Sequence, residues 1–310
     1  MAIEGITLFV IIVTYNGKQW YDRCFGSLRK STLPITTIVV DNASNDGTAE
    51  YIKKNYPEIV LIESDKNLGF GQANNKGLRY ALDNGCDYVF LQNQDAWVEP
   101  DTLERLVSIH KHNPEYGIVS PMHLNEDKLS FENGFLHYLS DNHVIELEFV
   151  DDLYFHRLKE IYPIQYVNAA AWLLPRKTLE TIGGFDPLFF HYGEDDNYMS
   201  RVLYHDYKIG ICPGIHIVHD AKNPGVRKRS PAESRRRHEV LLLVKYTNLC
   251  KPTTIGRDVS YFFRKAVKNL MHFKFSKAWC YFRDIVFLIK NKKTIHNSVS
   301  VNKRLGVTWL

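Results

Sequence analysis

Glu194-Asp195-Asp196 is a run of three carboxylates inside YGEDDN (192–197), at the start of a segment with helical spacing. Crowding of this kind raises the pKa of one carboxylate toward that of a working general base. The same acids also suit the first turn of a helix, where the macrodipole favours negative charge, and the residues alone leave both readings open. A further carboxylate, Asp95, follows the apolar run Val89-Phe90-Leu91 and the polar triplet Gln92-Asn93-Gln94. Asp in such a place makes a turn or holds a cation. Asp41, with Asn42 and Ser44 after it, closes the apolar run ITTIVVD (35–41). A carboxylate there can accept hydrogen bonds from a base N–H or from ribose hydroxyls; the alternative is a cap for the next helix. IHIVHD (215–220) places His216 and His219 near the end of another apolar run. Strand alternation points these two in opposite directions, so one site can use only one of them.

The elements that must position these groups follow from the apolar pattern. LFVIIVT (8–14), ITTIVVD (35–41), IVLIES (59–64) and DYVFLQN (87–93) read as buried strands, apolar without alternation. Residues 19–31, 48–57, 70–85 and 99–114 read as the helices between them, the last with proline near its start. That rhythm predicts an α/β fold with right-handed crossovers and a mainly parallel sheet. Ligands of such sheets bind beyond the carboxyl ends of the strands. The strand ends carry Thr14-Tyr15-Asn16, Asp41-Asn42 and Asn93-Gln94-Asp95, all expected on one rim. In DKNLGFGQANNKG (65–77) a strand passes into a helix, and Gly69 and Gly71 permit close backbone approach. Residues 115–165 are less regular. Residues 166–184 read as a strand running into a helix, 189–207 as a loop entering a helix, and 208–220 as a last strand. KNPGVRKRSPAESRRR (222–237) reads as a polar, basic loop, with helix from about 235 onward.

Composition limits the function classes. The 310 residues are 45% hydrophobic, enough for one large domain with an extension. Cys24, Cys86, Cys212, Cys250 and Cys280 form no CxxC pair, which argues against a cysteine zinc site or a disulfide framework and fits a reducing compartment. The first apolar run is too short for a secretory leader or a membrane span. There is no GxGxxG after the first strand and no GxxxxGK[ST], so dinucleotide and P-loop readings lose support. The net charge of +4 hides a split: residues 221–310 hold 21 Lys and Arg against 4 acids, residues 1–220 hold 18 against 31. A basic arm beside an acidic body points to an anionic partner, membrane lipid or nucleic acid.

IIVTYNG, IVVDNASNDGT, NLGFGQANNKG, the NQD strand end, GGFDPLFFHYGEDDN and VHD, in this order over residues 6–220, resemble the inverting family 2 glycosyltransferases of GT-A fold, closest to the rhamnosyltransferase and galactofuranosyltransferase branch. The resemblance implies a GT-A domain over 1–220 and a helical C-terminal extension over 221–310. It implies that Thr14, Tyr15, Asn16, Asp41 and Asn42 hold the base and ribose of a sugar nucleotide, with Ser44 beside them. Asn67, Gly69 and Asn74 would line the phosphate and sugar region. Asn93-Gln94-Asp95 falls on the Asp-X-Asp motif, where Asn93 and Gln94 face the nucleotide and Asp95 holds a divalent cation, Mg²⁺ or Mn²⁺; His219 falls on the third metal position. Glu194-Asp195 falls on the acidic pair, with Asp195 as base and Glu194 orienting the loop or touching the acceptor. The chain departs from the family at Asn93, where the first metal-motif acid stands, and at Asn197, where an acid often stands. One carboxylate with phosphate oxygens and waters still suffices for a hard cation.

The implied reaction moves a sugar, rhamnose from dTDP-rhamnose or another hexose from a UDP-sugar, onto a hydroxyl of a saccharide acceptor in bacterial surface polysaccharide synthesis. Two other classes compete. A nucleotidyltransferase would want a Gly- and Arg-rich phosphate loop after the first strand, and TYNGKQW has none. A non-catalytic adaptor would tolerate Asn93 but would not need Asp95, Asp195 and His219 at their motif positions. Residues 258–293 interleave aromatics with Lys and Arg and are too broken by charge to span a bilayer. With lipid-linked acceptors common in the family, they read as a peripheral contact with the inner face of the cytoplasmic membrane rather than with nucleic acid. A homodimer interface through the C-terminal helices is the competing use.

Overall fold

The strand β1 (Leu8–Thr14) is central to the sheet because its side chains are apolar on both faces. Leu8, Val10 and Ile12 enter one core cluster, while Phe9 and Ile11 enter the other. Each large side chain so buried contributes about 1.5–3 kcal/mol. The computed structural model describes residues 5–140, 147–220 and 230–310. After β1 come α1 (Tyr21–Leu28), β2 (Ile35–Asp41), α2 (Thr48–Asn55), β3 (Val60–Glu63), α3 (Phe70–Asp83) and β4 (Tyr88–Asn93). Strands β1, β2, β3 and β4 pair in parallel, as the crossover rhythm predicts.

The second half of the sheet mixes directions. It comprises β5 (Ala96–Val98), α4 (Thr102–His112), β6 (Tyr116–Leu124), α5 (Asn133–Ser140), α6 (Leu147–Tyr154), β7 (Tyr162–Pro163), β8 (Ala171–Pro175), α7 (Arg176–Ile182), α8 (Glu194–Tyr204) and β9 (Lys208–His219). The strand order is β3-β2-β1-β4-β8-β6-β9-β5, with β7 also on β9. Strand β8 runs antiparallel to β4 and β6, and β6 pairs with β9 in parallel. The carboxyl ends of β1, β2, β4, β6 and β9 therefore share one rim, joined by the start of β8. Mixed α/β architecture, a curled sheet with helices on both faces, is the GT-A fold.

Three helices follow: α9 (Pro231–Thr247), α10 (Ile255–Met271) and α11 (Phe275–Asn302). The loop expected over 222–237 is corrected in part. Residues 222–229 lie outside the described residues, but α9 already begins at Pro231. Ser230 and Glu233 form a capping box, Ser230 N donating to Glu233 Oε2 at 2.7 Å and Glu233 N to Ser230 Oγ at 3.2 Å. Proline at the first helical position needs no N–H partner there. The long helices are tied back to the sheet. Asp186 Oδ2 accepts from Ser298 Oγ at 2.5 Å and from Asn302 Nδ2 at 2.9 Å. The tail after α11 lies against the turn that follows α7, with Gly184 N donating to Thr308 O at 2.8 Å. A Cβ on Gly183 (φ +79°) would stand 2.0 Å from Thr308 O, so only glycine admits the tail.

Candidate functional site

The first rim cluster joins β1 to β2. Thr14 and Asp41 face each other in register. Asp41 Oδ1 accepts from Thr14 Oγ1 at 3.3 Å and from Ser44 Oγ at 2.5 Å, while Asn16 N donates to Ser44 Oγ at 3.0 Å. Asn16 (φ +49°) and Ala43 (φ +65°) take left-handed backbone conformations that turn both loops outward. Tyr15 is exposed; its N–H donates to Gln94 Oε1 at 3.0 Å, and Gln94 Nε2 donates back to Tyr15 O at 3.3 Å. A Cβ on Gly17 would stand 2.1 Å from Gln94 Oε1, so that glycine admits the bridging amide.

Asn42 joins β2 to the start of α3. Its Nδ2 donates to Asn67 Oδ1 at 3.0 Å and to Gly69 O at 3.1 Å, and its Oδ1 accepts from Leu68 N at 2.7 Å. Asn42 and Asn74 are buried, and Asn74 Nδ2 donates to Phe70 O within its own helix at 3.1 Å. The backbone approach that Gly69 (φ +78°) permits is toward the loop before α8: its Cβ would stand 1.8 Å from Phe190 O. A Cβ on Gly71 would lie 3.5 Å from Glu194 Cβ. These glycines thus set the nucleotide rim against the acid helix.

Asn93 and Asp95 sit where β4 meets β5. Asp95 Oδ1 lies 3.4 Å from His219 Nε2, and Asn93 Nδ2 lies 3.4 Å from the same nitrogen. Two donors in adjacent positions about 2.1 Å from one ion stand roughly 3 Å apart, so this pair fits a divalent cation. Burial opposes charge on His219, but the hydrogen bond and charge of Asp95 outweigh it and raise the imidazole pKa. His216, on the opposite face, lies 3.8 Å from Glu99 and takes no part. Two residues at the same place carry no local signal in the sequence. His123 ends β6, and Glu132 precedes α5; both are buried, and Glu132 Oε2 lies 3.9 Å from His219 Nδ1. Strand pairing alone brings them there. His123, Glu132 and His219 form the one group able to hold a metal ion among the described residues.

The three acids border a cavity of about 450 Å³ together with Asn93, Tyr166, Asn168, His191 and Tyr192. Helical rotation was expected to keep some of the three away from a common ligand. All three meet the cavity because they occupy the first turn of α8, which the cavity wraps. Asp195 Oδ2 accepts from Ala169 N at 3.3 Å. Its pKa is raised by burial. Glu194 is raised by burial and by the charge of Asp195. Burial and then Asp195 push Asp196 up to about 7. The other wall, Arg237, Val240, Leu241 and Val244, comes from α9. Those residues read in the sequence only as a basic run and an apolar stripe.

The raised Asp196 has a consequence for stability. Its folded pKa, about 7, exceeds the ordinary value of 3.8, so the folded chain keeps a proton that the unfolded chain releases between those pH values. Its contribution to stability is therefore lost as pH rises from about 4 to 7. Asp196→Asn is expected to melt higher than the parent, with a gap widening over that window to on the order of 1–3 kcal/mol near pH 8. Melting curves at pH 4.5, 6 and 8 check it; a gap that is constant with pH contradicts it.

The fold and its acid-lined rim define an enzyme of group transfer, and the comparisons give its family. Residues 9–171 match glycosyl transferase family 2, and the chain belongs to that family. It is a glycosyltransferase, similar to rhamnosyltransferases. It is 24% identical over 229 residues, 68% of this chain and 75% of the relative, to the N-acetylglucosaminyl-diphospho-decaprenol L-rhamnosyltransferase of Mycobacterium tuberculosis. It is 21% identical to the dTDP-rhamnosyl transferase RfbF of Shigella flexneri, over 71% of each chain. Among solved structures, S. aureus TarS 1-349 in complex with UDP-GlcNAc matches with a TM-score of 0.54 at 14% identity, over 79% of this chain and 68% of that one.

Proposed function

We propose that this chain is an inverting hexosyltransferase that moves a sugar, rhamnose from dTDP-rhamnose, onto a hydroxyl of a saccharide acceptor in surface polysaccharide synthesis. The observation that carries this reading is the adjacency of the two sites: Asn93 borders the acid cavity and also lies 3.4 Å from His219 at the rim. The rim cluster of Thr14, Tyr15, Asn16, Asp41 and Ser44 takes the base and ribose, with Gln94 bridging. Asn42, Asn67, Gly69 and Asn74 hold the backbone under the phosphates. Asp95 and His219 hold Mg²⁺ or Mn²⁺, which when bound offsets charge on the leaving diphosphate. Asp195 accepts the proton of the acceptor hydroxyl, whose oxygen attacks the anomeric carbon opposite the leaving group and inverts it. Glu194, buried behind it, keeps that turn of α8 in place.

The test is nucleoside diphosphate release from a panel of dTDP- and UDP-sugars with each cation, with and without saccharide acceptors. Acceptor-dependent release from dTDP-rhamnose supports the reading. Release from UDP-galactofuranose or another UDP-sugar alone keeps sugar transfer and overturns the donor.

We divide the chain into a catalytic domain, 1–220, and an extension, 221–310, whose first helix walls the acceptor cavity. In the same reading the acceptor is lipid-linked and the extension meets the inner membrane surface. No helix among the described residues is long and apolar enough to cross a membrane. The turn between α10 and α11 instead exposes Met271, Phe273, Phe275 and Trp279. Lys268, Lys274 and Lys277 stand exposed beside them, a pattern suited to anionic headgroups over a shallow apolar layer. Deleting α11 would also remove the partners of Asp186, so point variants are the cleaner test. The pair Phe273→Ser and Trp279→Ser should lower the fraction sedimenting with anionic vesicles several-fold without loss of melting temperature, and salt should weaken binding by the parent. Unchanged sedimentation, with a concentration-dependent dimer lost in the variant, would assign this face to a second copy.

A further inference from the structure

His219 presents two nitrogens to two different places. Its Nε2 faces Asp95 at the rim, but its Nδ1 faces inward, is buried and has no hydrogen-bond partner. His123 is fully buried, and its Nδ1 is likewise unpartnered. One carboxylate oxygen of Glu132 completes a set in which all three ligand atoms lie within 4.8 Å of one another. An unpaired buried polar atom costs about 1–3 kcal/mol, and two of them facing one carboxylate call for a shared partner. We propose that His123 Nδ1, His219 Nδ1 and Glu132 form a buried seat for a transition-metal ion of the Zn²⁺ class, separate from the rim cation of the donor.

The donor set suits such an ion. Two imidazoles and one carboxylate bind Zn²⁺ and its neighbours in preference to Mg²⁺, which demands oxygen. Donors about 2.0–2.2 Å from a tetrahedral ion stand roughly 3.3–3.5 Å apart. His219 Nδ1 and Glu132 Oε2, at 3.9 Å, need only a small contraction. Surrounding groups already orient the ligands, as they do around bound metals. His123 Nε2 lies 3.3 Å from Ser120 Oγ, which accepts its proton and leaves Nδ1 free to ligate. The Glu132 carboxylate accepts two backbone N–H groups at the start of α5, at 2.7 and 3.0 Å. Burial keeps the His123 imidazole neutral, the form that ligates. An ion on Nδ1 of His219 leaves the ring proton on Nε2, directed at Asp95 Oδ1. His219 then serves the rim as a hydrogen-bond donor, and Asp95 with the donor phosphates holds the rim cation.

The experiment is titration of the full chain, stripped of metal with a chelator, with Zn²⁺ by calorimetry and with Co²⁺ by visible absorption. Expected is one site of tetrahedral Co²⁺ absorption, displaced by Zn²⁺ and not by Mg²⁺. His123→Gln and Glu132→Gln should each weaken Zn²⁺ at least tenfold, while Asp95→Ala should leave it unchanged. Circular dichroism of the metal-free variants checks their fold, and if one fails to fold the other decides. Binding that survives both variants belongs to surface histidines, and binding lost in Asp95→Ala but kept in His123→Gln belongs to the rim. Either result overturns the seat, as does the absence of a Co²⁺ band. Because binding is read without turnover, failure here is distinguishable from failure of the sugar-transfer reading.

Discussion

Asp195→Asn should bind nucleotide sugar near normally and transfer the sugar at least about a hundredfold more slowly. The amide keeps the shape of the side chain, and its oxygen can still accept from Ala169 N. What it loses is the ability to take a proton. A positioned base is typically worth about 10²–10⁴ in rate, roughly 3–5 kcal/mol of barrier. Since Glu194 and Asp196 also border the cavity, all three amides must be compared. Single-turnover rates beside donor affinity separate chemistry from binding. Should Asp195→Asn match the parent while Glu194→Gln or Asp196→Asn collapses, the base is that neighbour.

Asp95→Ala should abolish transfer and leave the fold unchanged. The backbone around Asp95 is held independently of its side chain: Asp220 N donates to Asp95 O at 2.9 Å, and Ala96 pairs with His219 in the sheet. The carboxylate is partly exposed, so its removal opens no buried void. It is also the single acid of the NQD strand end. Charge stabilisation by a cation at a leaving diphosphate is worth several kcal/mol, and a loss of at least about 10²–10³ in rate follows. Melting temperature should hold within a few degrees. A variant that works at parental rate in the presence of a chelator would remove the metal role.

What was legible in the sequence was the half of the sheet built from uninterrupted β-branched runs, because a strand buried on both faces has a pattern no amphipathic element copies. The strand ends and the acid turn were legible for the same reason, being polar breaks in those runs. Ala96–Val98, three residues long, is too short to carry a period. The start of α9 was missed because its charge outweighed the Ser-Pro-Ala-Glu signature. Non-local contacts left no trace at all. Nothing near His123 or Glu132 announces His219, and nothing in Val240 or Val244 announces Gly193, which packs against them. Asn42 and Asn74 looked like ligand-facing amides, yet their side chains hold the chain's own backbone.

The attachment of the tail to the sheet imposes an order on synthesis. Arg201, buried on the acid helix, donates to Gly184 O at 2.5 Å and to Thr308 Oγ1 at 3.0 Å, and the second partner comes 107 residues later. Asp186 waits 112 residues for Ser298. Chains emerge from the ribosome N-terminus first and tend to fold as they appear. The sheet and α8 are therefore exposed to the cell while a buried guanidinium and a buried carboxylate still lack their companions, and closing contacts so distant in the chain is slow. During that interval the nascent enzyme is a substrate for chaperones and proteases, and its acid helix settles only when α11 and the tail dock.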